Sequence, residues 1–182
     1  MSESQIISLT RDVNIVTIPE GLVGMLRQGQ QVTIHQALGD NYTVLTDYGH
    51  LVRIAGNDAD ALGLELKAST LLSSELNKDA IEQNCWDVMR GVYDPEIPVN
   101  IVELGLVYHC HVTETAPGQF DVHIMMTLTA PGCGMGPVIQ SDVERGIAEL
   151  PGVTRVNVEV VLDPPWSRDM MSEVAKLQLG LF

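Results

Sequence analysis

The stretch Glu103 to Leu128, "ELGLVYHCHVTETAPGQFDVHIMMTL", determines how the second half of the chain folds. In its first half Leu104, Leu106, Tyr108, Cys110 and Val112 fall on one face, the period of two that a half-buried strand requires. Pro117-Gly118 supplies a turn, and the return run sets Val122, Ile124, Met126 and Leu128 on the buried side. The pattern predicts a β-hairpin. Its other face carries His109, His111 and His123, with His111 roughly across from His123. Three imidazoles on one sheet face have the chemistry to bind a metal. Open sheet faces are ordinarily polar, however, and the spacing fixes no third ligand, so solvent or a subunit contact is the default expectation.

Upstream, "NKDAIEQNCWDVMRGVYDPEIP" places Ile81, Cys85, Val88 and Met89 on one helical stripe, and the helix must stop before Pro95. Cys85 therefore reads as a core thiol, as does Cys110 on its strand, the two buried apart from each other. Downstream, "GPVIQSDVERGIAEL" reads as a helix with Pro137 in its first turn, where proline is tolerated, and with Val138, Ile139, Val143, Ile147 and Leu150 facing inward. "VTRVNVEVVL" is a strand that buries Val156, Val158, Val160 and Leu162. A turn at "DPPW" leads to a short terminal helix. From Trp166 onward that segment either covers a site, makes a subunit contact, or closes the core through Met170, Val174 and Leu177. The order α-β-β-α-β-α predicts a two-layer α+β domain.

Residues 13–66 read differently. "VNIVTI", "QQVTIHQA", "NYTVLTD" and "HLVRIAG" are short strands separated by turn residues, which predicts a small curled all-β module. Nothing in it is catalytic by residue type, and its lone histidines, His35 and His50, read as surface or packing residues. "KASTLLSSELNKD" loses the alternation and reads as a linker. The expected division is residues 1–70 for the β module and 71–182 for the α+β domain.

Composition bounds the partners. The 182 residues carry 10 Lys and Arg against 24 Asp and Glu, a formal net charge of -14. The basic residues are scattered singly, so neither nucleic acid nor an anionic membrane finds a basic patch. The longest stretch free of charged side chains, Val122 to Ser141, is broken by Pro131, Gly132, Gly134, Gly136 and Pro137. It does not read as a membrane helix. The start "MSESQIISLTRDV" lacks the basic and apolar pattern of a signal peptide. Three cysteines without a CxxC fit reduced thiols. The expectation is a cytoplasmic protein.

The third cysteine differs from the other two. In "TLTAPGCGMGPVI", Cys133 falls between a strand end and a helix start, after Pro131-Gly132 and before Gly134 and Gly136. Glycines let backbone amides point inward there, and the helix amino end favours negative charge, so the thiol is expected to be reachable and partly ionised. A second candidate is "DPEIPVNIVELGL", where Pro95 and Pro98 stiffen a turn that presents Asp94 and Glu96 in a fixed manner.

"DPEIPVNIVELGLVY", the "TLTAPGC" turn and the closing "WSRDMMSEVAKLQLG" resemble, in that order, three motifs of the PaaD-like family of iron-sulfur assembly factors, over about residues 80 to 182. The extra β module and "CGMG" are similar to one bacterial branch of it. The resemblance implies an assembly or carrier role in iron-sulfur protein maturation, with no catalytic turnover. It implies an acidic loop beside the thiol turn, and carries functional expectation onto Asp94, Glu96, Thr129 and Cys133, and also onto Asn100, Glu103 and Trp166. Two positions depart from many relatives: Ala130 stands in place of a second Thr, and Gly134 in place of a Pro.

Coordination chemistry weighs the mechanisms. A cluster held in one chain needs about four ligands, mostly thiolates, and this chain has three cysteines. Cys133 is therefore expected to hold iron or a cluster transiently, sharing it with a second copy, a client apoprotein, an assembly protein or nearby carboxylates, Asp94 and Glu96 first. A homo-oligomer fits that scarcity. A cysteine enzyme or redox sensor is the rival, but nucleophilic cysteines commonly gain their thiolate from His or Lys, and neighbouring carboxylates oppose it unless a metal is bound. A third reading is a pure adaptor in which Cys133 only shapes a turn.

Overall fold

The computed structural model describes residues 6–65 and 75–181. The chain divides into two compact units, Met1–Ala68 and Ser69–Phe182. The boundary expected at residue 70 lies outside the described residues, as does most of the expected linker.

The first unit is a six-stranded antiparallel sheet built from β1 (Ile6–Ser8), β2 (Val13–Thr17), β3 (Val23–Leu26), β4 (Gln31–Leu38), β5 (Asn41–Thr46) and β6 (Leu51–Ile54). The strand order is β1-β4-β5-β6-β2-β3. Val13, Ile15, Val32, Val44, Val52 and Ile54 fill its interior, joined by Ala59, Ala61 and Leu62 from a 3-10 turn at Gly56–Leu62. The Arg11 guanidinium pins that turn, reaching Asp58 at 2.8 Å and Asp60 at 2.7 Å. Alternation marks four of the six strands in the sequence. β1 spans three residues, and β3 contains Gly24, which lies beneath the Ile15 side chain. Neither offers enough alternating side chains to register as a pattern.

The second unit has the expected order. α1 (Lys78–Arg90) starts at Asn77, whose Oδ1 accepts from the Ala80 amide at 2.8 Å, a cap of about 1 kcal/mol. β7 (Val107–Ala116) and β8 (Gln119–Met126) form the hairpin, with His111 opposite His123. α2 (Gly136–Ala148) crosses over to β9 (Val153–Val160), which runs parallel to β8. A 3-10 turn at Arg168–Met170 and α3 (Glu173–Gln178) complete the unit. The sheet order is β7-β8-β9. α1 packs on β7, α2 packs on β9, and the two helices touch each other. Between them lie Ile81, Met89, Val112, Phe120, Ile124 and Ile147, all with at most traces of exposed surface. This is the two-layer α+β arrangement.

Several side chains depart from expectation, each for a local reason. β7 begins at Val107, because the chain turns through Gly105 at φ 73°; Leu104 and Leu106 are still buried, but as loop residues. β9 ends at Val160, so Leu162 lies beyond the sheet and is 54% exposed. Met170, Val174 and Leu177 face outward, and Met171 and Ala175 dock the terminal segment instead. Cys110 is only half-buried, on an edge strand. Nor do the two core cysteines stand independently: the Cys110 thiol, together with burial, pushes the Cys85 thiol up.

Candidate functional site

Register places three connecting segments at one end of the second sheet. Val107 pairs with Met126, and Met126 with Val160, so the start of β7 and the ends of β8 and β9 coincide. Just beyond, the Thr127 amide donates to the Leu106 carbonyl at 2.8 Å, and the Val161 amide to the Met126 carbonyl at 2.8 Å. The acidic loop feeding β7, the thiol turn leaving β8 and the segment leaving β9 all start from this end. For a parallel pair joined by a crossover helix, that end is where ligands ordinarily bind.

The acidic loop is organised by its own side chains. Asp94 is 4% exposed, its Oδ1 accepting from the Glu96 amide at 3.0 Å. Burial pushes this carboxyl above the ordinary carboxylate range, and the Glu96 amide opposes the shift. Asn100 Oδ1 accepts from the amides of Val102 at 3.0 Å and Glu103 at 2.9 Å, capping the turn that enters β7. The outward carboxylate of the loop is that of Glu96, which is exposed. Of the two acids expected to be presented, Asp94 is turned inward and Glu96 outward.

Cys133 is half-buried, on a turn that follows the buried Thr127 and the half-buried Thr129. The turn is tight. The Cys133 carbonyl accepts from the Gly136 amide at 3.0 Å, and Gly132 takes φ 79°, a conformation that glycine adopts without strain. Met135, 1% exposed, anchors the turn from below, and Gly136 lies so close to Leu128 that a Cβ would meet its side chain at 2.6 Å. Cys133 thus precedes α2 by three positions on a turn fixed at both ends.

The third segment is laced to the acidic loop. Trp166 Nε1 donates to the Leu104 carbonyl at 2.8 Å, and the Tyr108 hydroxyl to the Pro164 carbonyl at 2.7 Å. The Ser172 amide donates to the Glu103 carbonyl at 2.9 Å, while its hydroxyl donates to the Glu103 carboxylate. Gly105 leaves room for the Met170 carbonyl. Glu103 and Trp166 therefore join a strap to a loop. Sequence reasoning missed Ser172, the strap's anchor and the N-cap of α3. Its signal was present: a Ser before an acidic helix start in "MSEVAK".

Among the described residues no three His, Cys, Asp or Glu side chains gather into a metal-binding group. This holds for Cys133, Asp94 and Glu96, and for the three histidines of the open sheet face. There His123 meets Asn157 at 2.9 Å through Nδ1 and lies 3.6 Å from Glu159 through Nε2. No helix among the described residues is long and apolar enough to cross a membrane.

Residues 82–160 match the family model described as "Iron-sulfur cluster assembly protein". The chain is 41% identical over 104 residues to the Bacillus subtilis Fe-S protein maturation auxiliary factor YitW, across 57% of this chain and 98% of that protein. It is 44% identical over 90 residues to the Staphylococcus aureus Fe-S protein maturation auxiliary factor SufT, across 50% of this chain and 98% of that protein. Among solved structures it resembles a DUF59 domain from Bacillus anthracis at a TM-score of 0.52 and 39% identity, covering 58% of this chain and 96% of that one. A family match confined to the second unit, relatives covered almost end to end, and the α1-β7-β8-α2-β9 core agree, and the chain belongs to the SufT-like family of iron-sulfur cluster assembly proteins.

Proposed function

We propose that this protein acts in the maturation of iron-sulfur proteins as a non-catalytic carrier, in which Cys133 holds iron or a cluster as cargo and yields it to a client apoprotein. The observation that supports this is the setting of Cys133: a half-buried thiol on a turn fixed by Gly132, Met135 and Gly136, at the sheet end where the acidic loop also starts. Thiolates bind iron strongly, and a cluster asks for about four ligands. With no group of three acidic, thiol or imidazole side chains gathered among the described residues, coordination must be completed from outside. A second copy, an assembly protein or the client supplies the missing donors, and incomplete coordination makes release easy. Glu96 offers the outward carboxylate, while Asp94 fixes the loop that carries it and Asn100 caps the turn that enters β7. The strap contributes Val174 and Leu177, 55% and 61% exposed, an apolar surface on which a protein donor or acceptor docks.

Replacing Cys133 with Ser, in a cell that depends on this protein, separates carrier from adaptor. A carrier loses client maturation while the variant protein persists at parental level. Maturation by the Ser variant equal to that by the parent rejects the carrier and leaves the adaptor.

A further inference from the structure

The first unit lies outside the family match, and its sheet ends in an unprotected edge. β3 pairs with β2 alone among the described strands. The Thr17 amide donates to the Leu22 carbonyl at 2.8 Å, and the register continues with Ile15 opposite Gly24 and Val13 opposite Leu26. Leu22, Gly24 and Leu26 therefore turn their backbone groups toward β2, and the alternation of an antiparallel ladder turns those of Val23 and Met25 outward. Since Val13 and Ile15 belong to the core, the side chains of Val23 and Met25 stand on the opposite face, 81% and 52% exposed. Sheet edges are ordinarily blunted by bulges, charge or proline. In the second unit β7 carries two register shifts and β9 carries Arg155 and Glu159. β3 has no such device: its pairing with β2 runs without a shift, and "GLVGML", Gly21 to Leu26, contains no proline and no charged side chain.

We propose that β3 is a self-pairing edge, through which two copies of this chain join antiparallel about a twofold axis at Gly24. A twofold axis normal to the sheet sets residues of equal parity opposite one another. With Gly24 opposite Gly24, Val23 of each copy faces Met25 of the other, and each such pair exchanges both of its outward hydrogen bonds. Leu22, exposed at the start of the strand, falls opposite Leu26 of the second copy, and the absence of side chains at the axis lets the two backbones approach. Charge selects a second copy as the occupant. A chain of net charge -14 repels its own kind over most of its surface, and the charge-free stretch is where two copies can meet. That stretch is bracketed by Glu20 and Arg27, both exposed, the latter also reaching Asp12. Antiparallel pairing brings the Glu20 end of each strand to the Arg27 end of the other, opposite charges at both rims, whereas parallel pairing would set like beside like. The contact is independent of what Cys133 carries, and it gives the β module a role in assembly of the protein with itself.

The test uses the full chain in sedimentation velocity over a rising concentration series, with amide hydrogen exchange followed on the same samples. The parent should pass from 19.8 kDa toward twice that mass, and the Val23 and Met25 amides should gain protection as it does. Val23→Glu with Met25→Glu sets like charges across both pairs and should weaken association by at least about tenfold. Its circular dichroism should match the parent, because both side chains are exposed. Val23→Lys with Met25→Glu faces opposite charges across the same pairs and should restore association, which a general gain in surface polarity would not do. A parent that stays at 19.8 kDa at every concentration overturns the proposal. So does a dimer that the double Glu variant leaves intact, or one in which the Val23 and Met25 amides exchange as freely as in the monomer. The exchange measurement on the parent decides the matter whether or not the variants fold.

Discussion

At Asp94 a structural and a ligand role make opposite demands on one carboxyl, and substitution separates them. Burial holds the group above its ordinary value of 3.8, so the folded chain binds this proton more tightly than the unfolded one. That contribution to stability is fully present below pH 3.8 and is lost as pH rises through the raised value. Asp94→Asn keeps the Oδ1 acceptor for the Glu96 amide and removes the charge. It should flatten this slope and match or exceed the parent in urea unfolding at neutral pH. Asp94→Ala strands the amide and should lose about 1 kcal/mol. If iron retention drops in the Asn variant as well, the carboxylate itself reaches the cargo. The loop's two prolines announced rigidity in the sequence. Which acid faces inward was not legible, because that depends on the turn at Asn100 and on burial beneath neighbouring segments.

Among the elements, the strap carries the largest difference between pattern and structure. Helical periodicity left open whether Met170, Val174 and Leu177 close the core or lie on a segment that covers a site or meets a subunit; α3 is six residues long, and the segment docks through Met171 and Ala175 while those three face outward. Over so short a helix, hydrogen bonds to the neighbouring loop decide the orientation more than the apolar stripe does. Ser172→Ala removes both the N-cap and the hydroxyl partner of the Glu103 carboxylate, keeping the backbone bond to the Glu103 carbonyl, and should cost about 1–2 kcal/mol in chemical denaturation. Gly105→Ala is harsher: a Cβ there would stand 2.1 Å from the Met170 carbonyl oxygen, at a φ of 73°. It should destabilise the unit by more than about 2 kcal/mol, and limited proteolysis should then cleave the segment after Val161 first. Cleavage at the parental rate would mean that the strap is held by other contacts. The hairpin, both long helices and β9 were by contrast legible except at the start of β7 and the end of β9, each having enough residues to repeat its period several times.

For the whole molecule, the two units carry different amounts of information. The family match lies entirely within the second unit, and YitW of Bacillus subtilis is covered over 98% of its length by 57% of this chain. Residues 75–182 expressed alone should therefore unfold cooperatively and keep the iron behaviour of the full chain; a fragment that fails to fold would make the β module part of the assembly unit. The sequence singled out the Cys133 turn because Cys133 alone among the cysteines lies outside any apolar stripe. It hid the influence of the Cys110 thiol on Cys85, since which helical residue meets which strand residue is fixed only by packing. Whether the Cys133 sulfur carries the cargo is read out by anaerobic reconstitution with iron and sulfide, following absorption and particle size for the parent and Cys133→Ser. The parent should develop sulfur-to-iron charge-transfer absorption that a chelator or an apoprotein removes readily, and Cys133→Ser should develop none while remaining folded. Equal absorption in both proteins, or cargo in the parent that a chelator cannot remove, would mean that Cys133 is not a carrier thiol.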